Sequence, residues 1–133
     1  MTSSGGFELK RREAGGRIST SGSLSSLFDG WRGDEERWLF IAPHDDDVVM
    51  GAGLLLQCAV AQGVAISVLV TTDGSMGYCE TEDRDRIQEI RREETRKSFS
   101  LIGVEDVSWL NFPDCCLTPF LGRRRAREGE PGI

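Results

Sequence analysis

Residues 37–72 read RWLFIAPHDDDVVMGAGLLLQCAVAQGVAISVLVTT, and this stretch decides the fold. Arg37–Ala42 is an almost continuous apolar run, the mark of a buried strand in a parallel sheet. Leu54-Leu55-Leu56 through Val60 and Ala61 is mostly apolar and ends at Gly63, which suits the C′ position of a helix. Val64–Thr72 is rich in β-branched residues and reads as a second strand. Strand, helix and strand at this spacing make a right-handed βαβ unit, so the two strands run parallel.

The pattern continues downstream. Asp73-Gly74-Ser75 is turn chemistry. From about Glu82 to Ile102 the sequence is densely charged and helix-like, and Gly103 closes the element. Ile87, Ile90, Glu94, Leu101 and Ile102 define its apolar stripe, with Arg91 on the edge and close enough to pair with Glu94. Val107–Phe112 is a third strand stopped by Pro113. The fold class is therefore α/β, a parallel sheet with helices on both faces. Ligands of such sheets bind beyond the carboxyl ends of the strands. Polar residues stand at all three ends: His44–Asp47, Thr72-Asp73 and Asp114.

Composition narrows the function classes. Residues 1–36 are rich in Ser, Gly and charge and read as a flexible polar tail, with a possible hydrophobic turn at Leu24–Phe28. Residues 37–118 carry seven basic and fourteen acidic side chains, a balance that argues against nucleic acid as a partner. Arg123-Arg124-Arg125 and Arg127 read as a solvated loop before a polyanion patch. No stretch approaches a membrane span, and the N-terminus has no signal-peptide core. The four cysteines (Cys58, Cys79, Cys115, Cys116) show no CxxC spacing, which fits free thiols in a cytoplasmic setting.

The chain's one histidine, His44, precedes three consecutive carboxylates, Asp45, Asp46 and Asp47. Adjacent carboxylates repel one another, and burial disfavours their charge unless a cation is near. His44 and Asp47 offer an imidazole nitrogen and a carboxylate oxygen three residues apart, a pair that suits zinc. Asp46 between them is free for proton transfer. Taken singly, each residue has a plainer reading: an aspartate at a strand-to-helix junction is a common N-cap, and one of the three is expected to cap the helix. A metal accounts for all four together. Asp46-Asp47 is also similar to the acidic pair of a magnesium-binding phospho-receiver module. That module expects a lysine downstream of a later aspartate, and it leaves His44 without a role.

Ala42-Pro43-His44-Asp45-Asp46-Asp47, followed by Gly51-Ala52-Gly53, resembles the His-Pro-Asp-Asp-Glu…Gly signature of the PIG-L/LmbE-type zinc-dependent de-N-acetylases. The likeness extends through Thr71-Thr72-Asp73-Gly74, Arg91-x-x-Glu94, Leu101-Ile102-Gly103-Val104 and Phe112-Pro113-Asp114. The resemblance implies a Rossmann-like α/β domain that removes acetyl from an N-acetylated amino sugar of the N-acetylglucosamine type. By position, His44 and Asp47 would be zinc ligands, Asp46 the general base, and Arg91 and Asp114 the residues that hold sugar hydroxyls. Asp45 stands where the signature has proline, and Val48 where it has glutamate. The family draws a third ligand and an assisting histidine from a His-rich motif far downstream, whereas this sequence has one histidine. The resemblance therefore implies that residues 37–133 are the N-terminal part of a de-N-acetylase-like domain, a fragment weak or inactive alone. The alternative is an inactive binding module that keeps the same fold.

Overall fold

The computed structural model describes residues 6–116, 120–121, 124–125 and 127–129. In chain order the elements are β1 (Leu9–Arg12), β2 (Ile18–Ser21), β3 (Arg37–Ala42), α1 (Asp47–Ala61), β4 (Ala65–Thr72), α2 (Ile87–Leu101) and β5 (Asp106–Phe112). Two short strands, β6 (Phe120–Leu121) and β7 (Arg124–Arg125), pair antiparallel. Arg123 and the side chains of Arg124 and Arg125, which carry the basic run, lie outside the described residues.

The centre is a parallel sheet in the order β3–β4–β5, with Arg37 opposite Ala65 and Val68 opposite Val107. Both helices end in the same way. The amide of Gly63 donates to Val60 O at 3.0 Å and that of Val64 to Ala59 O at 3.0 Å; Gly103 donates to Ser100 O at 3.0 Å and Val104 to Phe99 O at 2.9 Å. These are Schellman caps, and the left-handed φ of +82° at both glycines explains why glycine sits there. Val64 and Val104, one residue on, are buried and lead the chain back to the sheet.

The helices lie on one face of this sheet, not on both as the apolar run suggested. Trp38, Phe40 and Ala42 on β3, Ile66, Val68 and Val70 on β4, and Val107 and Trp109 on β5 join one core with Leu56 and Ala59 of α1 and Phe99 of α2. Leu39 and Ile41 point the other way and are 60% and 63% exposed among the described residues. Three sequential strands joined by right-handed crossovers return each helix to the same side, so topology explains the placement.

Two further expectations are corrected. α2 begins at Ile87 rather than near Glu82, because Thr81–Asp83 form a separate 3-10 turn. Aspartates such as Asp83 and Asp85 compete with helical bonding and favour turns. The buried stripe of α2 runs Ile87, Thr95 and Phe99, with Arg91 half-buried between them, while Leu101 is 88% exposed.

The segment before β3 carries more structure than its polar composition suggests. β1 and β2 form a hairpin, and Leu24 is fully buried in the core. Gln62, just past α1, anchors this segment: its Oε1 accepts from the Leu24 amide at 2.9 Å and its Nε2 donates to Gly22 O at 3.3 Å. Phe28 and Trp31 pack edge-on against Trp38, with ring centroids 5.2 and 6.3 Å away. A few apolar residues spaced among serines are enough to hold the segment, because their partners lie elsewhere in the chain.

Candidate active site

The site lies where the sheet's strands end. The β3–α1 loop is held from β4: the Thr72 amide and hydroxyl donate to Pro43 O at 3.0 and 2.7 Å. β5 carries an extra residue between the Val70–Trp109 and Thr72–Phe112 pairs, and Asn111 there has φ +60°. A bulge of this kind re-aims the chain, here towards Pro113 and Asp114 at the site. Asn tolerates the left-handed region better than most residues.

His44 sits between two carboxylates. Its Nδ1 is 3.3 Å from Asp47 Oδ2 and its Nε2 is 3.2 Å from Asp114 Oδ1. A neutral imidazole donates from one ring nitrogen only, so it can donate to one of these two carboxylates and not to both. Asp47 Oδ2 also accepts the His44 amide at 2.8 Å. None of the three aspartates caps α1 as expected: Asp46 occupies the N-cap position without a side-chain cap bond, and Asp47 reaches back to His44.

Asp46 instead faces Arg91, with Arg91 Nη1 3.6 Å from Asp46 Oδ2, and Arg91 Nη2 donates to Gly77 O at 3.3 Å. Glu94 is not the ionic partner of Arg91; it lines the same cavity, of about 300 Å³, with Asp45, Asp46, Val49, Thr95 and Ser98. The structure thus groups His44 with Asp47 and Asp114, and Asp46 with Arg91. One four-residue loop carries members of both groups.

Asp114 is nearly buried, its side chain 7% exposed. Asp73, which the sequence placed at a strand's carboxyl end and in a turn, positions it. Asp73 Oδ1 accepts the amides of Ser75 and Asp114, both at 3.0 Å, and Gln88 Nε2 donates to Oδ2 at 3.3 Å. Burial pushes the Asp73 carboxyl up, but the bonds from Ser75 and Asp114 outweigh it and hold the group below its ordinary pKa. The Asp-Gly-Ser turn was legible; its link to β5 was not. Cys115 follows Asp114 with φ +56°. The neighbouring Asp114 charge pushes its thiol pKa up, so it is a poor nucleophile at neutral pH.

The donor chemistry can be compared with a zinc ion. Two ligand atoms at about 2.05 Å from zinc across a tetrahedral angle stand about 3.3 Å apart. His44 Nδ1 and Asp47 Oδ2 are separated by 3.3 Å. The pair fits two corners of a zinc site. Among the described residues no group of three or more His, Cys, Asp or Glu side chains is arranged to hold a metal ion.

A family profile described as GlcNAc-PI de-N-acetylase (PIG-L) matches residues 39–128. The diacetylchitobiose deacetylase of Thermococcus kodakarensis is 34% identical over 82 residues, covering 61% of this chain and 31% of that protein. A Bacillus cereus protein named probable N-acetyl-α-D-glucosaminyl L-malate deacetylase 2 is 30% identical over 84 residues, covering 60% of this chain and 38% of its own. Among solved structures, the N,N′-diacetylchitobiose deacetylase of Pyrococcus horikoshii, complexed with its inhibitor MPG, superposes with a TM-score of 0.58. It is 35% identical and covers 59% of this chain and 30% of its own. The chain spans about a third of the length of the curated relatives it matches.

Proposed function

The chain belongs to the GlcNAc-PI de-N-acetylase (PIG-L) family, and on that premise we propose that it carries part of a zinc-dependent site for removing acetyl from an N-acetylglucosamine-type substrate. The observation that carries the reading is the 3.3 Å approach of His44 Nδ1 and Asp47 Oδ2 at the sheet's carboxyl end. These two residues would hold the metal. A bound zinc supplies Lewis acidity, lowering the pKa of water and polarising an acyl carbonyl.

The other roles fall to the chain's own groups. Asp46 has no cap bond to satisfy and is half exposed, so its carboxylate is open to take a proton from water. Arg91, 3.6 Å away, places positive charge beside it. The guanidinium spends one donor on Gly77 O, and its remaining N–H groups suit a sugar hydroxyl. Asp114 Oδ1 is engaged by His44 and by the Cys115 amide, which leaves Oδ2 as an acceptor for a second hydroxyl. Four free cysteines suit a cytoplasmic setting.

Catalytic zinc sites keep three protein ligands and one open position, whereas the sequence holds one histidine. Turnover by these 133 residues alone is therefore expected to be weak. A module that binds an amino sugar without hydrolysing it is the second reading, favoured by the lack of a three-ligand group among the described residues. The test is acetate release from diacetylchitobiose with added zinc, beside calorimetric binding of the same sugar. The proposal expects slow turnover that falls a further 10²–10⁴-fold in Asp46→Asn, the usual contribution of a general base. Sugar binding with no zinc-dependent release would favour the second reading; neither binding nor release would sink both.

A further inference from the structure

Asp45 has no part in the chemistry above, yet it is the buried member of the acidic triplet. It is 5% exposed, whereas the Asp46 and Asp47 side chains are 49% and 43% exposed. A carboxylate is not buried without compensation. Asp45 Oδ1 accepts Trp109 Nε1–H from β5 at 2.8 Å and the Thr95 hydroxyl from α2 at 3.3 Å. The guanidinium groups of Arg96 and Arg92 lie 5.0 and 5.7 Å from the centre of the Trp109 ring. On the remaining side Gly74 makes room: a Cβ there would stand 2.7 Å from Asp45 Oδ2. A surplus loop acid would turn to water; this one is seated among groups from three other parts of the chain.

The residues on either side of it are the ones that matter for metal and proton transfer. The family signature has proline at this position, whose ring fixes the backbone φ. A carboxylate bonded to two other elements constrains the same loop from its side chain. We propose that Asp45 is a positioning residue, clamping the loop to β5 and α2 so that His44 and Asp47 keep their separation; the link to metal rests on the reading of those two as ligands. Residues that orient ligands in this way commonly account for 10–100-fold in metal affinity.

The test uses the full ¹⁵N-labelled chain and zinc alone as probe. The Trp109 indole N–H is assigned with Trp109→Phe, and the Val68 and Val70 amides report on the sheet. In Asp45→Ala the indole resonance should move upfield and the His44 amide should exchange at least about 10-fold faster, with zinc affinity down about 10-fold. Asp45→Asn keeps an acceptor for both donors and should restore affinity to within about threefold, a rescue that a bulk effect of losing the side chain's charge would not give. Unchanged indole and His44 signals in Asp45→Ala would overturn the clamp, and altered signals with wild-type zinc affinity would overturn its positioning role. If the Val68 and Val70 amides lose protection in Asp45→Ala, Trp109→Phe decides: it should still speed His44 exchange, and wild-type behaviour there refutes the proposal. A wild-type chain that takes up no zinc would end the reading of His44 and Asp47 as ligands, while the indole and amide signals would still decide the clamp.

Discussion

Among the described glycines, Gly74 should tolerate alanine least. Gly74 has φ +66°, and a Cβ there would lie 2.7 Å from Asp45 Oδ2. The left-handed conformation costs a non-glycine residue about 1–2 kcal/mol. The contact cannot be relieved cheaply, because Asp45 is pinned by Trp109 at 2.8 Å and Thr95 at 3.3 Å. Moving the carboxylate sacrifices at least one bond to a charged group, about 1.5–3 kcal/mol. Against this stands about 0.4–1 kcal/mol gained by restricting the unfolded chain. The net loss should be about 2–4 kcal/mol, read as a lower urea midpoint at unchanged slope. Gly51 is the internal control: it is in the interior of α1, with no atom within 4 Å of a Cβ built there. Gly51→Ala should therefore stabilise by about 0.5–1 kcal/mol. The reasoning fails if Gly74→Ala lies within about 0.5 kcal/mol of wild type, or if the two substitutions change stability in the same direction.

The Asp73 carboxyl is held below its ordinary value in the fold, so its contribution to stability is complete above the unfolded value near 3.9 and is lost as pH falls through the folded one. Asp73→Asn should cost about 1 kcal/mol at pH 7, discounted because the group is partly exposed, and denaturation curves should converge with wild type as pH drops below 4; a gap that persists in acid contradicts this. On α2, Phe99→Ala should cost about 3–5 kcal/mol, while Leu101→Gln, at an 88% exposed position, should stay within about 0.5 kcal/mol by thermal melts. Comparable losses from both would restore the stripe drawn from sequence.

The βαβ core was legible because its signals are local. Arg37–Ala42, the glycine at 63 and the β-branched run to Thr72 each fix their element within a few residues, and the parallel β3–β4–β5 sheet follows. Where partners are distant the reading failed. The hydrophobic turn expected at Leu24–Phe28 is present as a 3-10 turn over Leu24–Ser26, but its anchoring by Gln62, 38 positions on, was not legible. The side of the sheet taken by each helix depends on strand order, which no single segment encodes. The site divides similarly. Position in a motif singled out His44, Asp46, Asp47, Arg91 and Asp114. Spacing paired Asp47 with His44, but three identical aspartates in a row carry no sign of which is buried by Trp109 and which faces Arg91. Those assignments come from β5 and α2, more than forty residues downstream.

Zinc K-edge X-ray absorption on the full chain with one equivalent of zinc tests the central claim most directly. Imidazole scattering at about 2.0–2.1 Å and a carboxylate oxygen at about 2.0–2.2 Å are expected, with the imidazole signal lost in His44→Ala and the oxygen shell altered in Asp47→Asn. Spectra unchanged by either substitution, or a sulfur shell at about 2.3 Å from the exposed thiols of Cys79, Cys115 or Cys116, would show that the metal is held elsewhere and contradict the account.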